Sequence, residues 1–184
     1  MKINILPGLN NSGSGHWQTN WQVKYGFYRV EQEDWAQPDF QKWKNTLINY
    51  LTKDKDEKDN ILIAHSLGCL LVVKSLPEIR EYVKGIFLVA PADPNGELFP
   101  RQLQAFNNLP DHDLGIPGYL IFSGDDPYAS VSFAEKYGLT WGLKTVNIGR
   151  KGHINSESAL GDWEEGFDYL GQLLGTVLTV KNFV

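Results

Sequence analysis

Asn60-Ile-Leu-Ile-Ala-His-Ser-Leu-Gly-Cys-Leu-Leu-Val-Val73 decides the fold of this chain. The apolar run from Ile61 to Ala64 has the length of a buried strand. It stops at His65-Ser66-Leu67-Gly68, and a second apolar run, Cys69 to Val73, reads as the buried face of a helix. A serine set between a core strand and a core helix has to occupy a very tight turn. Cβ atoms two residues before and after it would collide with the adjoining strand and helix, and Ala64 and Gly68 supply small residues there. The pattern is G-x-S-x-G with alanine for the first glycine, the arrangement that lifts a hydroxyl above the carboxyl edge of a sheet. It also aims a helix N-terminus at whatever binds there. The plainer alternative is a serine that only caps a core helix.

Working outward, 184 residues suit one domain, 1–184, with a sizeable core. A hydrophobic fraction of 42% and an aromatic fraction of 12% argue against disorder. The net charge of −5 and the lack of a basic stripe speak against nucleic acid and acidic membrane surfaces as partners. With Cys69 the single cysteine, neither an internal disulfide nor a multi-cysteine metal site can form. No run of about 18 apolar residues occurs, and the opening Met-Lys-Ile-Asn-Ile-Leu-Pro-Gly is too short for a signal peptide, so the cytoplasm is the expected compartment.

Strand and helix signals alternate along the chain. Strands are expected at Lys2 to Leu6, Phe27 to Glu31, Ile86 to Ala90, Gly118 to Ser123 and Leu143 to Ile148, besides the one before Ser66. Helices are expected from Pro38 to about Leu51, from Val131 to Tyr137 and from about Ser158 to Leu174, with a short one near Phe99 to Asn107. The mixed charges of Lys53 to Asp59 mark a solvated loop. Such alternation implies a parallel sheet of about six strands with helices on both faces, and ligands at the carboxyl ends of its strands.

Three reactive groups follow three of those strand ends: Ser66, the Asp125/Asp126 pair and His153. A serine hydroxyl needs an imidazole to take its proton, and the imidazole needs a carboxylate to fix its tautomer. Asp126 is favoured over Asp125, because Pro127 restricts it to an extended conformation. The chain order Ser, Asp, His is that of α/β-hydrolases. An oxyanion hole would use the amide of Leu67 and one from the loop after the first strand, Leu9 with Asn10 as the alternative. Asn10, His16 and Trp17 in that loop are candidate substrate-binding residues, although Trp17 and Trp21, four apart, suit core packing equally. His65 is expected to pack behind the nucleophile, and Trp35 is a second candidate wall of the pocket. The four histidines lack metal-ligand spacing, so no metal and no cofactor is expected.

Leu6-Pro-Gly8 with Asn11-Ser-Gly13 and His16-Trp17, the elbow His65-Ser-Leu-Gly68, Asp126-Pro-Tyr128 and Gly152-His153 together resemble the small YdeN-like and retinoblastoma-binding protein 9-like serine hydrolases. The resemblance spans residues from about 5 to 155. It implies a minimal α/β-hydrolase fold without a cap domain, and the triad Ser66, Asp126, His153. A small-molecule ester would be the substrate, hydrolysed through an acyl-enzyme. Two other classes compete: an idle hydrolase scaffold for protein binding, and a flavodoxin-like nucleotide binder. The absence of Lys and Arg from residues 3 to 23 argues against the second, since no cation is there to meet a phosphate.

Overall fold

The computed structural model describes residues 1–181. Six strands, β1 (Lys2–Leu6), β2 (Tyr28–Arg29), β3 (Asn60–His65), β4 (Val83–Val89), β5 (Gly118–Phe122) and β6 (Lys144–Asn147), form one all-parallel sheet. Five helices accompany it: α1 (Trp17–Tyr25), α2 (Phe40–Thr52), α3 (Leu67–Ile79), α4 (Val131–Thr140) and α5 (Glu164–Lys181). No described helix is long and apolar enough to cross a membrane.

Every residue of β3 is buried, which is why its sequence is an unbroken apolar run rather than an alternating one. Side chains still alternate between the two faces. Ile61, Ile63, Phe87, Val89, Tyr119 and Ile121 pack with Trp17 and Trp21 of α1 and with Leu170, Leu173 and Val177 of α5. Leu62, Ala64, Ile86, Leu88, Leu120 and Phe122 turn to the other face, against α2, α3 and α4. Each fully buried aliphatic side chain contributes roughly 1.5–3 kcal/mol, so the central strands and α3 make a stiff platform. Helices thus cover both faces of the parallel sheet, as the minimal α/β-hydrolase fold implied by the resemblance requires.

Strand order is β2-β1-β3-β4-β5-β6. The chain first steps outward from β1 to β2, then returns to lay β3 on the other side of β1. The direction of winding therefore reverses between β1 and β3, and a crevice opens at their carboxyl ends. Ser66 and the loop after Leu6 both lie at this crevice.

One expectation needs correction. The last helix begins at Glu164, not Ser158, and the residues before it are not helical: Ser156–Ser158 is a separate 3-10 turn, while Ala159, Gly161 and Trp163 have φ of +50°, +59° and +43°. Leu160 and Trp163 sit at helical spacing without being on the helix; Trp163 folds back over Gly166, where a Cβ would strike the indole, and stacks on Trp21 at 5.8 Å. The short helix expected near Phe99 to Asn107 is present as a 3-10 helix, Arg101–Phe106, which buries Leu103 and Phe106.

Close approach is what makes Gly68 obligatory. A Cβ there would run into the carbonyl oxygens of Leu6 and, at 2.7 Å, Pro7. Both are backbone atoms at the end of β1 and cannot swing aside. Gly68→Ala is therefore expected to lower stability by about 2 kcal/mol or more, seen as a lower denaturation midpoint with an unchanged slope.

Candidate active site

The elbow is real and strained. Ser66 sits at φ +53°, ψ −122°, a conformation that an L-residue adopts only when its surroundings force it. Its amide donates to Val89 O at 3.0 Å, and its carbonyl accepts from the amide of Cys69 at 3.0 Å. Leu67 is the first residue of α3, so its own amide has no acceptor within the helix. Gly8 passes so close that a Cβ on it would sit 3.0 Å from Ser66 Cβ and Leu67 N, which places the loop after β1 directly beside the serine.

His153 brings its Nε2 to 2.8 Å from Ser66 Oγ and its Nδ1 to 2.9 Å from both oxygens of Asp126. A carboxylate can only accept, so Nδ1 carries the proton and Nε2 presents a lone pair to the serine hydroxyl. Burial leaves the Asp126 side chain 2% exposed and the His153 side chain 9% exposed, so little water competes for this pair.

Asp125 does something different from Asp126. It accepts from Ser123 Oγ at 2.8 Å and from the amide of Gly152 at 2.9 Å, and the hydroxyl of Ser123 accepts from the amide of Lys151 at 2.9 Å. The hydrogen bond from Ser123, followed by that from Gly152, holds the Asp125 carboxyl below its ordinary range. Asp125 fixes the backbone of the loop that carries His153, while Asp126 meets the imidazole.

A cavity of about 490 Å³ opens over Ser66. Leu9, Asn10, His16, His65 and Leu67 line it, with Ala92, Leu98, Phe99, Pro100 and Leu103 as an apolar wall and Asn155, Ser156 and Glu157 on the side of His153. The amide of Asn10 is already engaged by Trp35 O at 2.8 Å. Trp17 does not reach the cavity: it is 1% exposed, donates Nε1–H to Ile154 O at 2.9 Å and packs edge-on against Trp21 and Trp163. Trp35 likewise turns away, packing on Trp43 at 5.3 Å. Both were candidate walls; Trp17 is drawn into the core among Trp21 and Trp163, while Trp35 packs half-buried against the core.

His16 and His65 form a buried pair of imidazoles, 4.8 Å apart and edge to face. His16 caps α1, accepting the amide of Gln18 on Nδ1, so its proton resides on Nε2. Burial, then the positive charge of Arg29, push its pKa down to about 4. Burial also holds His65 well below the usual imidazole range. Cys69, directly behind the elbow, is fully buried with its Sγ 3.4 Å from Val89 O, and burial raises its thiol pKa. Among the described residues no cluster of His, Cys, Asp or Glu could hold a metal ion.

Three residues outside the sequence-derived set shape the site. Arg29 of β2 ties the loop after β1 through Asn11 Oδ1, Ser12 O at 3.1 Å and Thr19 Oγ1 at 2.8 Å. Gln18 spans from Ser12 Oγ at 2.6 Å to Ile63 O at 3.1 Å. Tyr128 packs its ring on His153 at 4.5 Å. Only Tyr128 had a signal, its place in Asp126-Pro-Tyr128; an arginine in a short edge strand announces nothing.

The serine hydrolase family profile matches residues 3–172. Among solved structures, one described as a YdeN-like hydrolase from Pectobacterium atrosepticum is 28% identical, with a TM-score of 0.84 over 96% of this chain and 91% of that one. The ydeN gene product from B. subtilis is 19% identical, with a TM-score of 0.75 over 95% of this chain and 98% of that one. Est1E from Butyrivibrio proteoclasticus, solved with ferulic acid bound, is 13% identical, with a TM-score of 0.73 over 94% and 89%. No curated protein matches the chain.

The His16 pKa has a consequence for stability. An unfolded histidine takes up its proton near pH 6.5, whereas folded His16 resists until about 4. Between those values the unfolded state binds more protons, so stability is complete above about pH 6.5 and falls as pH drops towards 4. His16→Asn keeps the cap without the titration. Between pH 7 and 4.5, urea denaturation is expected to show the parent losing on the order of 2 kcal/mol more than this variant.

Proposed function

This chain belongs to the serine hydrolase family, and we propose that it cleaves small esters through an acyl-enzyme on Ser66, with His153 as base and Asp126 as its orienting acid. The observation that carries this reading is the continuous path Ser66 Oγ, His153 Nε2, His153 Nδ1, Asp126, with steps of 2.8 and 2.9 Å.

The steps follow from the protonation states. His153 Nε2 takes the hydroxyl proton as Ser66 Oγ bonds to the ester carbonyl carbon. The carbonyl oxygen gains negative charge and moves towards the amide of Leu67, with Leu9 as second donor, since the amide of Asn10 is engaged elsewhere. The imidazolium, steadied by Asp126, gives its proton to the leaving alcohol as the carbon–oxygen bond breaks. Water then enters on the His153 side, gives up a proton to Nε2 and bonds to the acyl carbon; the carbon–Oγ bond breaks, Nε2 returns the proton to Ser66 Oγ and the acid leaves. None of this calls on a cofactor.

Shape limits the acyl group. Leu98, Phe99, Pro100 and Leu103 form one apolar wall, and no cap stands opposite it among the described residues. Each methylene adds up to about 0.8 kcal/mol only while the protein can still desolvate it. A short acyl chain fits the wall; a long one projects into water. Ferulic acid bound to Est1E shows an aromatic acid on the same fold, and an aryl acyl group of modest size is also compatible with this cavity.

Ser66→Ala is expected to abolish both labelling by a fluorophosphonate and ester turnover with the fold kept, since alanine brings no new atom to the turn. Asp126→Asn should cost roughly 10⁴-fold in kcat, as the imidazole loses the partner that sets its tautomer, and Asp125→Asn far less. Labelling that persists without Ser66, or the opposite order of the aspartates, would overturn the assignment.

Along a series of nitrophenyl esters, kcat/KM is expected to be highest for acetate or butyrate and to decline by decanoate. A preference still growing at palmitate would contradict the open site.

A further inference from the structure

The loop carrying His153 is an improbable piece of backbone. Gly149, Gly152 and Ile154 all have positive φ, at +79°, +54° and +50°. The glycines tolerate this at no steric cost, but Ile154 is β-branched and its conformation is a true outlier. Strain of that kind persists only where the surroundings over-determine it. Besides the bonds of Asp125 and Ser123 to the amides of Gly152 and Lys151, a pair of buried ring N–H donors holds the loop by acting on successive carbonyls. His65 Nε2 lies 2.9 Å from His153 O, and Trp17 Nε1 lies 2.9 Å from Ile154 O. A carbonyl only accepts, so His65 carries its proton on Nε2. The ring is wedged between His16, at 4.8 Å, and His153, at 4.9 Å, which fixes its plane.

Resting on the proposed roles of Ser66 and His153, we infer that His65 is a positioning residue for the base, with Trp17 as a second strut. His65 is joined covalently to the nucleophile and by a hydrogen bond to the backbone of the base. It therefore gauges the Ser66–His153 separation directly, rather than through the length of chain between them. Trp17 belongs to the helix that follows the loop after β1, so the same pair of donors also references the base to that loop. Three segments far apart in sequence, the loop after β1, the elbow and the base loop, are locked to one another by these two N–H groups. His65 borders the cavity, but its Nε2–H is committed to His153 O, and Trp17 lies outside the cavity with its Nε1–H on Ile154 O, so loss of either donor acts on the approach of His153 to Ser66 rather than on binding.

The test compares donors of different reach. His65→Gln places an amide N–H near the original Nε2, His65→Asn has an amide one methylene too short, and His65→Leu has no donor. Trp17→Phe keeps the ring and deletes its N–H. With a short nitrophenyl ester, His65→Leu and His65→Asn are expected to lower kcat by about tenfold to a hundredfold with KM within about twofold, and His65→Gln to recover most of the loss. Trp17→Phe should lower kcat more mildly. Combined with His65→Leu, it should cost less than the product of the single effects, because both act on one loop. Thermal unfolding identifies folded variants, and if His65→Leu does not fold, the Gln and Asn pair decides. The inference is overturned if folded Gln and Asn variants have equal kcat, or if kcat is unchanged in Trp17→Phe. Turnover that survives Ser66→Ala would instead sink the proposed chemistry and leave the loop measurements to be read by themselves.

Discussion

Everything at this site depends on a serine held where a serine does not want to be. The φ of +53° at Ser66 costs on the order of 1–3 kcal/mol, and only a surrounding structure that has no cheaper arrangement keeps it. That structure is the fully buried β3 on one side and the almost fully buried α3 on the other. Shifting β3 to relax the turn would expose apolar side chains on both faces of the sheet, and shifting α3 would expose those on one. Gly68 and Gly8 complete the constraint, because the end of β1 passes so near the turn that Cβ atoms at these positions have no room. The strain thus serves two ends: it exposes the hydroxyl, and it brings the β1 loop within reach of it.

The winding of the sheet explains why separate loops meet at that serine. Reversal between β1 and β3 opens the crevice, while β5 and β6 continue in one direction and bring Asp126 and His153 in from the other side. A hydrogen-bond network then trims the geometry. Asp125 and Ser123 fasten the His153 loop from below, and Arg29 and Gln18 fasten the loop after β1. Adjacent aspartates so differ completely in duty: one meets backbone amides, the other an imidazole.

Much of this was readable in the chain. Fold class and strand order of appearance follow from buried apolar runs punctuated by Gly and Pro, and β1 is found where the sequence reading placed it. Ser66, Asp126 and His153 stood out because each follows the carboxyl end of a strand, and Pro127 separated the two aspartates. Trp17 was harder. Four-residue spacing says that Trp17 and Trp21 share a helical face, but it does not say whether that face meets the cavity or the sheet. The start of α5 misled for a related reason, since Trp163 keeps helical spacing while its backbone turns the other way. Arg29 was invisible, because its role depends on which loop lies across a two-residue edge strand.

Cys69 carries a last consequence. It is the chain's only cysteine, it stands three residues after Ser66, and it is sealed in the core with its sulfur against the same carbonyl of Val89 that receives the amide of Ser66. A buried, un-ionised thiol reacts slowly with alkylating agents, disulfides and peroxide. The folded protein therefore presents an almost blank thiol background. A cysteine introduced at an exposed position such as Leu98, on the rim of the cavity, would be the single addressable sulfur, and a fluorophore or spin label placed there would report on ligand entry without a second signal from the core.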